Sequence, residues 1–551
     1  MFCYQCEQSA KSEGCTIKGV CGKEPEVASL QDLLVYLAKG VAQYAFKAGR
    51  FGLRDEKIDD YIIKALFSSV TNVNFDAQRL HRFILYGLEI KDLASKLYEK
   101  ACEESSIKRE GLNSSALWIP SSTKIEDLIR EGETLSIPNN IESLGKTSAG
   151  LLELITYGLK GVAAYLDHAY ALGYKDKSLN AMLFEHLDFT TRKTYAKGEL
   201  LAQALKVGEL NYKAMQLLDR AHTESFGCPK PTPVKISPIR GKAILISGHD
   251  LKDLEILLKQ TDGKGVNIYT HGEMLPAHSY PELNKYSHLV GNYGGAWQDQ
   301  QKEFAEFPGA ILMTTNCIQE PREKYSKKIF TTGLVAWPNI RHLHEKDFSS
   351  VIETAISMPG FERDMEEKNI TVGFGRHFVI SIADKILEAI KKGKLKHIFL
   401  VGGCDGAKPG RNYFTDFVQK IPKDCIILTL ACGKYRFNKL DFGLLEGLPR
   451  LLDIGQCNDA YSALEIATAL AEKCNCSIHD LPLSLTLSWY EQKAVAILLT
   501  LLHLGIKNIY IGPTLPPFLT KEVMEALKNK FGLQLIDAPS EDLKEILHLD
   551  K

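Results

Sequence analysis

The chain has 551 residues, enough for several domains, and three is the expected number. Apolar and charged fractions of 45% and 25% are ordinary for a globular protein. Lys+Arg at 67 against Asp+Glu at 68 leaves a net charge of −1, which removes any electrostatic reason to expect nucleic acid or an anionic membrane surface.

The opening Met1-Phe2-Cys3-Tyr4-Gln5-Cys6 lacks the basic start and apolar core of a signal peptide. The longest apolar run, Ala494 to Leu502, is too short for a bilayer, so a cytoplasmic protein is expected. The 13 cysteines, an odd number, argue against a disulfide scaffold and for metal, redox or buried thiols. Cys3, Cys6, Cys15 and Cys21 form C-x2-C-x8-C-x5-C. Four thiols this close suit one metal centre better than four unrelated core positions. Iron–sulfur clusters want four thiolates, and zinc accepts four as well. Zinc ribbons pair two C-x-x-C units where this run has one, which favours a cluster.

From Ser29 the pattern turns helical. Leu30, Leu33, Leu34, Leu37, Val41 and Tyr44 share one face, with Ser29 read as N-cap and Gly49 as the stop. Further helices are expected around Asp76 to Glu99, Leu151 to Ala171, Ser178 to Leu187 and Gly198 to Ala221. Leu112 to Asn140 reads as an irregular excursion. Residues 1–225 therefore make a helical bundle domain. A bundle of this size needs no metal to fold, so the N-terminal centre reads as an electron relay.

Phe226-Gly227-Cys228-Pro229-Lys230-Pro231-Thr232-Pro233 is a Pro-rich boundary. Beyond it short apolar strands alternate with helices, the grammar of parallel α/β sheets. Two such domains are expected, 226–359 and 360–551, split near Met358-Pro359-Gly360. No tandem repeat is visible at the level of residue identity.

Six apolar runs end on residues that bind metals. They deliver His249; His271 and Glu273; Cys317; Cys404; Cys432; and Cys457. Ligands in open α/β sheets sit beyond the carboxyl ends of strands. Six such endings in succession predict a metal site with the two sheets facing each other across it. The donors mix soft thiolates with imidazole and carboxylate, which suits iron that is not sulfur-only and keeps a position open. His271 and Glu273 compete for one role, and His249 also fits a helix-start neighbour. Ser488-Trp489-Tyr490-Glu491 fits a capping box, yet Glu491 also follows the run Leu483 to Leu487 at the same kind of edge. Lys493 would lie beside the site. Cys425 reads as a strand core residue, and Cys102 and Cys228 have no partner spacing. Cys474 and Cys476 read as surface thiols before a metal pair. Gly402 to Gly406 matches no phosphate loop.

The motifs Gly248-His249-Asp250, Thr270-His271-Gly272-Glu273, Thr315-Asn316-Cys317, Val401-Gly402-Gly403-Cys404-Asp405-Gly406, Leu430-Ala431-Cys432-Gly433, Asp453-Ile454-Gly455-Gln456-Cys457 and Ser488-Trp489-Tyr490-Glu491-Gln492-Lys493, with the N-terminal cysteines, resemble the hybrid cluster proteins, also called prismane proteins or hydroxylamine reductases. The likeness covers the whole chain. It implies a multidomain α and α/β fold: a helical domain, then two Rossmann-like domains. It implies that Cys3, Cys6, Cys15 and Cys21 hold a [4Fe-4S] cluster, since their tight spacing is that of the family's cubane members. It implies a hybrid [4Fe-2O-2S] cluster on His249, Glu273, Cys317, Cys404, Cys432, Cys457 and Glu491, with Cys404 at the family's persulfide position. At Glu491 the resemblance moves the balance from cap to ligand.

The activity this implies is reduction of hydroxylamine to ammonia and water, of nitric oxide to nitrous oxide, or both. Cys404, Glu491, Lys493 and His249 are the catalytic candidates. The implied partners are the small nitrogen-oxide substrate and an electron-donating reductase or a ferredoxin- or rubredoxin-like protein, with no nucleic acid, no membrane and a monomeric state. Three other readings stand beside this one. A carbon monoxide dehydrogenase-like enzyme would need nickel and further cysteines. A nitric oxide or redox sensor would pass nitrosyl groups to protein thiols. A zinc-binding structural protein would be colourless.

Overall fold

The structure is a computed structural model and describes residues 1–196 and 198–548. The N-terminal part is helical, with long helices at Pro25–Gly49, Glu56–Ser68, Ala77–Glu104, Lys146–Ala171, Lys177–Phe189 and Glu199–Phe226. The first begins before the expected cap. Pro25 takes its first turn, where the missing N–H is no loss and the fixed φ suits a helix. Ser29 lies inside, and its hydroxyl donates back to Pro25 O at 3.1 Å. The stretch expected to be irregular carries short helices at Ser114–Leu117 and Ile125–Glu133 and the start of Ile137–Leu144.

The first sheet contains β1 (Lys242–Ser247), β2 (Val266–His271), β3 (Leu289–Asn292), β4 (Ala310–Met313), β5 (Ile329–Thr332) and β6 (Arg341–Leu343). Its order is β3-β2-β1-β4-β5-β6, all parallel. The second contains β7 (His397–Gly403), β8 (Cys425–Leu430), β9 (Leu451–Gly455), β10 (Leu483–Ser488), β11 (Ile509–Gly512) and β12 (Gln534–Leu535). Its order is β9-β8-β7-β10-β11-β12, again all parallel. Both are the doubly wound order, in which direction reverses beside the first strand. The two sheets thus repeat a topology that the residues do not repeat. The fold is multidomain α and α/β, as expected. We propose the division 1–225, 226–359 and 360–551 for it. An antiparallel pair, Thr232–Lys235 with Asn369–Val372, ties the start of one sheet region to the start of the other.

Parallel sheets are covered on both faces, so their strands are apolar throughout. In β1, Ile244 and Ile246 enter one buried cluster while Ala243 and Leu245 enter another, the alternation a pleat imposes. Each buried Leu or Ile contributes about 1.5–3 kcal/mol. The largest core runs without a break from Leu33 and Leu159 in the helices to Ile398, Leu428 and Leu485 in the second sheet. The helix Gln492–His503 makes that join. It lies so close to Glu199–Phe226 that a Cβ on Gly208 would sit 2.1 Å from Leu499 O. Thr500 Oγ1 donates to Gly208 O at 2.9 Å and accepts from Asn211 Nδ2 at 3.0 Å. This packing sets the position of the helix's first residues, next to Glu491.

Candidate metal centre

The two points of strand reversal lie between β1 and β4 and between β7 and β10. His249 and Cys317 follow β1 and β4; Cys404 and Glu491 follow β7 and β10. Glu273, Cys432 and Cys457 follow the neighbouring strands β2, β8 and β9. The turns that release these residues are tight. Gly403 has φ +106°, and a Cβ there would meet Ser488 O at 2.1 Å, so β7 and β10 approach with no room for a side chain.

Donor atoms of His249, Glu273 and Cys457 all lie within 4.8 Å of one another, and all three residues are buried. Gln456 braces the group across the two sheets: its Nε2 donates to His249 O at 3.1 Å and to Glu273 O at 2.7 Å. Cys457 N donates to Glu273 Oε2 at 2.9 Å, which leaves Glu273 Oε1 buried without a partner. His249 Nδ1 faces Asn316 O at 3.1 Å and Thr315 Oγ1 at 3.0 Å. A carbonyl only accepts, so Nδ1 carries the proton and Nε2 presents the lone pair.

Cys404 and Cys432 lie close enough to Cys317 to feel it, and each of the three feels Glu273, Glu491 or both. Burial, then Glu491, then Cys457 and Cys317 push the Cys404 thiol well up. Burial, then Glu273, then Cys317 and Cys404 do the same to Cys432. Burial followed by Glu491 raises Cys317, with Lys493 opposing. Burial pushes Cys457 up to about 12 against the pull of Lys493. Burial lowers His249 and raises Glu273 and Glu491. A buried set of this kind favours neutral forms, and a bound cation reverses that preference by displacing the protons.

Glu491 is itself the N-cap of Gln492–His503, whereas Ser488, which fits a capping box by spacing, does not cap it. Its Oε2 accepts from Lys493 N at 2.9 Å; Ser488 instead ends β10. Lys493 Nζ is buried, 3.0 Å from His249 Nε2, 3.0 Å from Asn316 Oδ1 and 3.7 Å from Glu491 Oε1. His271 points elsewhere, with Nε2 at 3.0 Å from Glu303 Oε2 and Nδ1 at 2.9 Å from Ser247 Oγ. The structure therefore brings Glu273, and not His271, to His249. Cys102 and Cys425 are packed in apolar clusters, Cys474 is exposed, and Cys228 and Cys476 are half-buried.

At the N-terminus, Cys3 and Cys15 exchange backbone hydrogen bonds of 3.0 and 2.8 Å. Cys3, Cys6, Cys15 and Cys21 all line one small cavity. Cys6 also shares a buried cluster with Cys317 and Cys432, where Trp297 stacks on Tyr490 at 4.4 Å. The two cysteine groups are thus neighbours. Arg411, fully buried, joins them: Nη1 donates to Cys404 O at 3.1 Å, and Nη2 donates to Trp489 O at 2.8 Å and lies 3.2 Å from Glu7 Oε2.

A family model described as Prismane/CO dehydrogenase matches residues 1–544. The chain belongs to the prismane/CO dehydrogenase family. A hydroxylamine reductase from Syntrophobacter fumaroxidans is 54% identical over 547 residues, covering 99% of this chain and 100% of the relative. One from Thermodesulfovibrio yellowstonii is 51% identical over 554 residues, covering 99% and 100%. Among solved structures, carbon monoxide dehydrogenase IV from Carboxydothermus hydrogenoformans superposes with a TM-score of 0.56 at 16% identity, covering 99% of this chain and 92% of that one. That likeness is one of fold.

Family membership implies iron–sulfur centres, and the donors fit them. The cysteines are free, the mixed site holds a buried carboxylate oxygen with no partner, and the N-terminal site gathers four thiols around one small cavity. Sequence reasoning gave no role to Gln456, Asn316 or Arg411. Gln456 and Asn316 stand beside ligand candidates inside the quoted motifs, but their contacts cross from sheet to sheet. Arg411 carried no signal: an arginine in a loop reads as a solvated charge. Among the described residues, no helix is long and apolar enough to cross a membrane.

Proposed function

We propose that this protein is an iron–sulfur oxidoreductase that reduces hydroxylamine to ammonia and water. The observation that carries the reading is the meeting of His249, Glu273 and Cys457, from two sheets, with donor atoms within 4.8 Å of one another. In this reading Cys3, Cys6, Cys15 and Cys21 hold a [4Fe-4S] cluster. His249, Glu273, Cys317, Cys404, Cys432, Cys457 and Glu491 hold a hybrid [4Fe-2O-2S] cluster, with Cys404 at a persulfide position. The all-thiolate centre supplies electron transfer, and the mixed centre supplies an open position and Lewis acidity.

The chain's own residues do the rest. Hydroxylamine takes two electrons and two protons to give ammonia and water. Burial acts to lower the Lys493 ammonium, but Cys457, Glu491, Cys317 and Glu273 raise it above its ordinary value, so it holds a proton at Nζ 3.0 Å from His249 Nε2. His249 is held neutral and oriented through Nδ1 by Asn316 and Thr315. Gln456 fixes the spacing of His249 and Glu273, and burial excludes bulk water. The electron donor is a reductase or a small ferredoxin- or rubredoxin-like protein.

One observation favours nitric oxide as a second substrate, with two molecules, two electrons and two protons giving nitrous oxide and water. An apolar cavity of about 150 Å³ reaches Cys404 and Cys457 between the second sheet and the helices Ala460–Cys474 and Gln492–His503. Ala467, Leu464 and Leu498 line it, and Lys507 and Asn508 stand at its outer end. Such a lining admits an uncharged apolar molecule without penalty.

The experiment is an anaerobic iron and sulfide count with electron paramagnetic resonance, followed by hydroxylamine and nitric oxide turnover with a chemical reductant. Wild type turns over both, and Cys404→Ala loses both while the N-terminal signal persists. Near-normal activity in Cys404→Ala would remove the mixed site from the reaction.

A further inference from the structure

The helical domain also holds an open cavity beside Cys3. This cavity of about 530 Å³ has Cys3, Gln5, Asp32, Lys39, Glu153 and Lys160 in its lining. Asp32 also lines a smaller cavity of about 230 Å³, which passes Gly132 and Glu133 to exposed Pro138. Asp32 therefore stands at the junction of two spaces. The smaller one reaches exposed Glu133 and Pro138, and the larger one, itself open to solvent past Lys193, reaches Cys3.

The charges around Asp32 are unusual in being near one another without pairing. Lys23 Nζ donates to Gln31 Oε1 at 2.5 Å, Lys39 Nζ to Thr156 Oγ1 at 3.2 Å, and Lys160 Nζ to Gln5 Oε1 at 3.2 Å. Each ammonium spends a donor on a neutral acceptor. Burial is the first influence on the Asp32 carboxyl and raises it to about 7, while Lys160 and Lys23 pull it down, Glu153 pushes it up and the Met1 α-ammonium pulls it down. Lys39 faces it from the same helix, and Glu133 faces the outer cavity from Ile125–Glu133. A carboxyl that is half ionised near neutrality responds to any charge added nearby. An electron arriving on the Cys3 centre is such a charge, and by linkage each event favours the other.

We propose that Asp32 is a redox-linked proton site, which takes a proton from solvent when the iron–sulfur centre on Cys3, Cys6, Cys15 and Cys21 accepts an electron. The inference rests on the proposed assignment of that centre. The step balances: a one-electron protein donor supplies the electron, and a solvent hydronium arriving past Glu133 gives the proton that turns the Asp32 carboxylate into the acid and leaves water. Asp32 is a positioning residue for charge and touches no substrate. The site gives a reaction that consumes equal numbers of electrons and protons a way to admit them together.

The test is a redox titration of the N-terminal centre in the holoprotein, followed by electron paramagnetic resonance between about pH 6 and 8. In wild type the midpoint potential falls with rising pH, with a slope of up to about 59 mV per pH unit. Asp32→Asn flattens the slope, and Asp32→Glu restores it. Redox-difference infrared spectra of wild type show a protonated carboxyl on reduction, which Asp32→Asn lacks. A flat wild-type potential, or a slope that survives in Asp32→Asn, overturns the proposal. If Asp32→Asn fails to hold its cluster, the wild-type infrared spectrum decides alone, and no carboxyl protonation on reduction overturns it. A holoprotein with no N-terminal iron–sulfur signal would overturn the assignment of the cysteines, which the titration separates from a centre that is present but insensitive to pH.

Discussion

Lys493 Nζ lies 3.0 Å from His249 Nε2, although the two residues are 244 positions apart in the chain. His249 leaves the central strand of the first sheet; Lys493 opens a helix that packs on the second and on the helical domain. Burial and the nearby Lys493 both lower the imidazole, which is therefore neutral. Burial acts to lower the lysine too, but Cys457, Glu491, Cys317 and Glu273 hold it above its ordinary value. A charged ammonium thus stands beside a neutral ring, in the place where a reaction needs protons.

Replacing Lys493 by Met should lower hydroxylamine turnover by roughly 10²-fold, the usual loss for a general acid. Iron and sulfide content should stay at the wild-type level, because Lys493 is no ligand in the proposed set. Steady-state rates per iron-loaded protein provide the check. Unchanged turnover would exclude Lys493 as the proton donor.

Cys6→Ser should separate electron entry from chemistry. The mixed centre has its own ligands and should keep its spectroscopic signature. Turnover driven by a protein donor should fall, while small reductants that reach the mixed site should still support it. Loss of all iron in Cys6→Ser would mean that the N-terminal motif is needed for folding rather than electron relay.

Gly208→Ala should destabilise the protein and disturb the mixed centre through the helix that Glu491 caps. The added methyl would meet Leu499 O at 2.1 Å, a backbone atom that cannot swing aside. Overpacking of this kind costs about 1–3 kcal/mol. The helix Gln492–His503 should shift and carry Glu491 and Lys493 with it. A lower denaturation midpoint together with reduced turnover is the expected pair of results. A midpoint equal to wild type would show that the helix contact is looser than the structure has it.

Asp167 makes stability depend on pH. Burial raises its carboxyl to about 7, with Lys64 pulling down and Asp250 and Asp60 pushing up. A carboxyl whose pKa is raised on folding favours the folded chain only while protonated. Its contribution is full below the ordinary value of 3.8 and is lost as pH rises through about 7. The difference corresponds to at most roughly 4 kcal/mol. Asp167→Asn should therefore match wild type near pH 4 and exceed it above about pH 8. Urea midpoints across that range measure this, and parallel curves for the two proteins would contradict it.

Much of the site could be read along the chain. Apolar runs such as Ile426 to Leu430 are strands because a parallel sheet buries both faces, and the residues that end them stand at the sheet's carboxyl edge by geometry alone. The cap at Glu491 was legible as a helix start but not as the capping residue itself, because Ser488 and Glu491 offer the same signal and β10 runs one residue further than its apolar run. The outer strands Leu289–Asn292 and Arg341–Leu343, and Ile329–Thr332 beside the latter, carry no clear strand signal because they are short and hold polar residues.

By itself the order of residues determined the ligand types, the grammar of helices followed by two parallel sheets, and the thiol-only character of the N-terminal group, since each follows from local pattern or from near neighbours. Only the tertiary structure decided that Glu273 and not His271 turns toward His249, that Gln456 and Arg411 hold separate motifs together, and that Lys493 comes to rest on the imidazole. Those contacts join positions far apart along the chain, and their energy depends on burial and distance, neither of which a local stretch of residues contains.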